Sequence, residues 1–79
     1  MKANMMKELF KATLPFEGTE LTYNVHFEEE AYLFEPEQRS GKALRFYRAH
    51  DEWKSDTTLP ENTTQAAIDA LEDYLLSQH

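Results

Sequence analysis

The chain has 79 residues and a mass of 9.3 kDa, room for one small domain with a thin core. Hydrophobic residues make up 41% and charged residues 29%, with two glycines and three prolines, which excludes disordered, collagen-like and linker-like chains. There is no cysteine, so disulfides, thiolate metal sites and cysteine nucleophiles are excluded together.

No apolar run approaches the ~20 residues that cross a bilayer. The start, Met1-Lys2-Ala3-Asn4-Met5-Met6-Lys7-Glu8, is too polar for a signal segment. The expectation is a soluble, cytoplasmic single domain spanning residues 1–79, with no membrane contact.

Charge is sorted along the chain. Residues 15–37 carry seven glutamates and no base, and residues 55–79 carry five acids and no base. Between them, residues 38–54 hold five bases against two acids. A net charge of −7 repels phosphate backbones and anionic bilayers, so neither nucleic acid nor membrane is an expected partner. Acidic strands lying beside basic ones would account for the blocks structurally.

Taken in chain order, Phe10, Ala12, Leu14 and Phe16 share one face of a first strand, although Met5, Met6, Leu9 and Phe10 also fit a helical face over residues 3–11. Glu17-Gly18-Thr19 supplies a turn. Leu21 to Glu28 alternates without a break, placing Leu21, Tyr23, Val25 and Phe27 toward a core and Thr22, Asn24, His26 and Glu28 away from it. Glu28-Glu29-Glu30 connects to a strand over Ala31–Glu35, which Pro36 ends. Glu37 to Lys42 reads as a loop, and Ala43–Arg48 resumes the alternation with Leu44 and Phe46 opposite Arg45 and Tyr47. Ala49-His50-Asp51 turns into a short strand, Glu52–Ser55.

A helix closes the chain, with Asn62 or Thr63 expected as N-cap and Gln65 at capping-box spacing from Asn62. Its inward stripe is Ala67, Ile68, Leu71, Tyr74, Leu75 and Gln78, with Leu76 outside it. The fold class is therefore α+β: an antiparallel β-meander of four to five strands with one C-terminal helix packed on one face.

Chemistry is hard to find in these residues. His26 with Glu28, or His50 with Asp51 or Glu52, lacks a recognisable metal-ligand spacing, so no metal and no cofactor is expected. The three adjacent glutamates would be equally solvated, whereas acid–base catalysis needs two carboxylates whose environments differ. The serines at 40, 55 and 77 sit outside any nucleophile elbow, and two glycines cannot build a phosphate loop. The chain is not expected to be an enzyme.

What remains is surface. The sheet face away from the helix should present Asn24, His26, Arg45 and Tyr47, a mixed polar, basic and aromatic set and the candidate binding residues. The leading reading is a small non-catalytic protein-interaction module, meeting a protein partner or a second copy of itself as a homodimer. An alternative is an acidic mimic that occupies the basic site of a nucleic-acid-binding protein. A further alternative is small-ligand binding between helix and sheet, around Tyr23, Tyr32, Trp53 and Tyr74.

Overall fold

The computed structural model describes residues 8–39 and 41–78. Five antiparallel strands form one curled sheet in the order of the chain: β1 (Phe10–Phe16), β2 (Thr19–Glu28), β3 (Ala31–Pro36), β4 (Leu44–Ala49) and β5 (Glu52–Ser55). One helix, α1 (Glu61–Ser77), follows. The α+β meander with a C-terminal helix is the architecture the alternation implies. The expectation of a helix over residues 3–11 lies mostly outside the described residues, and Phe10 and Lys11 are in β1.

Three of the four strand connections are two-residue turns. Glu17 and Gly18, Glu29 and Glu30, and His50 and Asp51 all have positive φ, between 52° and 82°. Consecutive positive φ values are the signature of the turn whose twist matches paired strands. In such hairpins the flanking residues, here Phe16 and Thr19, form the hydrogen-bonded closing pair. Pro15 therefore falls where the backbone faces the free edge of β1, and its missing N–H costs no ladder bond.

Register then sorts the side chains. Ala12, Leu14, Tyr23, Val25, Phe34, Leu44 and Phe46 share the helix side and are buried with Ala67 and Leu71 of α1. Two contacts fix the helix direction. The Thr63 hydroxyl donates to the Pro15 carbonyl, and the Tyr74 ring stacks on Phe10 at 4.8 Å. Eleven helical residues rise about 16 Å, and five strand residues span about the same. The helix thus lies along β1 and runs antiparallel to it.

The cap differs from expectation. Neither Asn62 nor Thr63 is the N-cap: Pro60 takes that position with no side-chain cap, and the Thr64 N–H reaches the Pro60 carbonyl. Thr63 is spent instead on β1, where a fully buried hydroxyl needs a partner. Gln65 bonds Asp69 one turn on rather than closing a capping box. Gln78, assigned to the inward stripe, is exposed, while Thr63 joins Ala67 and Leu71 as the buried line.

Candidate interaction surfaces

The sheet face opposite α1 carries the four candidate residues the alternation assigns to it. The ladder His26↔Leu33↔Arg45 places two of them in one row across β2, β3 and β4. Asn24 lies one step along β2 from that row, and Tyr47 one step along β4. They share a face but separate into two pairs with Leu33 between them.

The Arg45–Tyr47 pair is committed within the chain. The Arg45 guanidinium bonds the Asp56 carboxylate at 2.6 Å and lies 5.2 Å from the centre of the Tyr47 ring. On β1, Lys11 bonds Glu37 at 2.6 Å. That hydrogen bond, with the lysine charge behind it and Asn24 pulling the same way, holds the Glu37 carboxyl below the usual carboxylate range. The same bond raises Lys11 above its ordinary value. His26 departs from its expected exposure: it points away from the helix, yet only 7% of its surface is accessible. Its Nε2 and the Oδ1 of Asn24 are buried without hydrogen-bond partners. Alternation reports direction, and on this face direction is not exposure.

The other end of the helix side is different. In the meander the β2–β3 and β4–β5 turns fall at one end of the sheet, and the contact of Tyr74 with Phe10 brings the C-terminus of α1 to that end as well. Because α1 tracks β1, it leaves the strands beyond incompletely covered there. Phe27, expected in the core, shares the side of Tyr23 and Val25 but is 51% exposed. Its ring lies 4.8 Å from Tyr32, which meets Trp53 edge-on at 5.8 Å. The Arg48 guanidinium sits 5.0 Å from the Trp53 ring. Arg48 in turn lines a shallow groove of about 260 Å³ with Glu72, Leu75 and Leu76, the last 71% exposed.

These residues form one connected ledge running from Phe27 to Leu76. The two exposed large hydrophobic residues of the described chain stand at its ends. Within it, the Trp53 indole N–H is buried and has no acceptor. Burial pushes the Tyr32 hydroxyl pKa up, with a smaller push from Tyr74. The charge at this end is acidic: Glu29, Glu30 and Asp51 sit in the two turns, and Glu72 lies on the helix beside the groove. Sequence reading singled out Leu76 but missed the ledge, because Phe27 obeys the core alternation and only the path of α1 exposes it.

A second recess, of about 370 Å³, opens at the opposite end between Phe16, Thr19, Leu21 and Lys42, with Tyr23 at its floor. The aromatic residues considered for a ligand pocket do not ring one cavity: Tyr23 packs on Phe34, Tyr32 on Trp53, and Tyr74 on Phe10. Among the described residues, no three histidines or carboxylates gather as metal ligands, and no helix is long and apolar enough to cross a membrane. Compared with protein-family models, with curated proteins and with solved structures, the chain matches none.

Proposed function

We propose that this chain is a small, non-catalytic protein-interaction module that receives its partner on the ledge from Phe27 to Leu76. The observation that carries the reading is the exposure of Phe27 and Leu76 at the two ends of one connected aromatic and aliphatic surface. Exposed apolar residues scattered singly are ordinary, whereas a continuous patch with a polar rim marks a contact site. Aromatic and arginine side chains, here Tyr32, Trp53 and Arg48, are the types that dominate binding energy at such sites. The expected face around Arg45 and Tyr47 offers less, since those groups already hold Asp56 and each other.

The test is affinity capture with immobilised wild-type protein and with Leu76→Asp, at low and high salt. A partner retained by the wild type at both salts and lost by the variant supports the reading. A partner held equally by both refutes it. Mimicry of nucleic-acid charge is a second reading, favoured by the carboxylates at this end. It requires capture that disappears at high salt and ignores Leu76→Asp.

A homodimer is a special case of the module. Sedimentation should then give about twice the 9.3 kDa chain mass at micromolar concentration, and Leu76→Asp should return the monomer.

A further inference from the structure

We infer that the ledge accepts a basic amphipathic helix of a protein partner, its apolar stripe on Phe27, Trp53, Leu75 and Leu76 and its lysines or arginines against the surrounding carboxylates. This rests on the reading of the ledge as a docking surface and names the chemistry of what docks.

The argument is charge complementarity. The apolar strip is bordered at the β2–β3 turn by Glu29 and Glu30, at the β4–β5 turn by Asp51, and at the helix end by Glu72. Against these, Arg48 is the cation within the strip, and it lies on the Trp53 ring. An acidic or neutral apolar segment would meet unfavourable or indifferent charge along that border, and a basic one meets attraction from it.

Three of these acidic residues also work against the fold. Glu72 sits near the C-terminal end of α1, where no base occupies the last turn and a negative charge opposes the helix dipole. Glu29 and Glu30 fill left-handed positions that asparagine or glycine would occupy with less strain. Charge retained at a conformational cost is understandable where a basic partner supplies the compensation.

The shape agrees. The groove beside Leu75 and Leu76 is shallow and open, as suits a helix laid across it rather than a small molecule enclosed by it. Contacts spaced at i, i+3, i+4 and i+7 on such a helix would follow the line from Leu76 through Trp53 toward Phe27.

Trp53 is the only tryptophan of the chain, so its emission reports on the ledge directly. The experiment titrates the full chain with an 18-residue tryptophan-free peptide, leucines at i, i+3, i+4 and i+7 spacing and lysines elsewhere. A scrambled isomer of identical composition runs in parallel. Expected are a blue shift of Trp53 emission with micromolar affinity, and at least tenfold weaker binding of the isomer. Leu76→Asp and Glu72→Lys should each weaken binding at least tenfold, while Glu72→Lys keeps or raises the melting temperature, which shows that the variant folds. Equal binding of both isomers would reduce the interaction to bulk charge and overturn the inference. So would an unmoved Trp53 emission, whether or not the peptide binds elsewhere. If the peptide fails but capture still depends on Leu76, the partner class is wrong and the docking surface stands. If capture is also indifferent to Leu76, both fall.

Discussion

The β2–β3 turn offers a direct trial of the hairpin geometry. Glu29 and Glu30 have φ values of 53° and 62°, and neither is a residue that enters the left-handed region readily. Each L-residue held there costs about 1–2 kcal/mol. Replacing the pair with Asn-Gly relieves most of that. The glycine gives back about 0.5–1 kcal/mol through the freedom it adds to the unfolded chain. Removing two of three adjacent like charges adds a small gain. The double substitution Glu29→Asn with Glu30→Gly should therefore stabilise the domain by about 1–2 kcal/mol. For a domain of this size each kcal/mol moves the melting temperature by about 4–8 °C. Thermal unfolding followed by circular dichroism measures the shift. Urea unfolding should show a higher midpoint at unchanged slope, the mark of altered stability rather than altered unfolding. An unchanged or lower midpoint would mean that the turn is not strained as its dihedrals indicate. Since the same exchange removes two carboxylates beside the ledge, it should also weaken binding of the basic peptide.

Thr63→Val keeps the shape of a fully buried side chain but removes the donor to Pro15, and should cost about 1–2 kcal/mol in urea unfolding; a neutral result would deny that this bond ties α1 to β1. Tyr23→Phe removes a buried hydroxyl that has no partner, so it should be neutral or stabilising by up to about 1 kcal/mol, whereas a large loss would reveal a missing bond. The pH dependence has a definite sign. Desolvation of Tyr23 and Tyr32 raises both phenols above 10.0, so their contribution is whole below that pH and is lost as pH rises through the raised folded values. The urea midpoint should fall above pH 10, and less steeply in Tyr23→Phe; an identical fall would remove Tyr23 from the cause. Gly41→Ala should destabilise, because a Cβ there would lie 2.6 Å from the Pro36 Cβ, and an unchanged melting temperature would show that the loop yields freely.

Much of the fold is written locally. The run from Leu21 to Glu28 alternates strictly, and β5 occupies Glu52–Ser55, the bounds read from the sequence. Turns were legible wherever two polar residues separate alternating runs, even without Asn-Gly. The cap of α1 was not, because Asn62 and Thr63 both carry capping chemistry and only the tertiary contact with Pro15 decides how Thr63 is used. The surfaces were legible in direction but not in exposure. Period-two alternation assigns Phe27 and His26 to opposite sides correctly, yet Phe27 is open and His26 is closed. What separates them is the line α1 takes over β1 and the curl of the sheet, and neither is encoded in the spacing of one strand. Arg45 and Tyr47 were likewise placed on the correct face, while the capture of Arg45 by Asp56 across the end of β5 depends on register between two strands.

Backbone amide shifts of the labelled full chain, mapped during titration with the basic amphipathic peptide, distinguish the two faces of the sheet most directly. Docking on the ledge requires the largest changes at Phe27, Tyr32, Arg48, Trp53, Glu72, Leu75 and Leu76, with Asn24, Arg45 and Tyr47 nearly still. Changes centred on Asn24, Arg45 and Tyr47 instead would contradict it and return the interaction to the face opposite the helix.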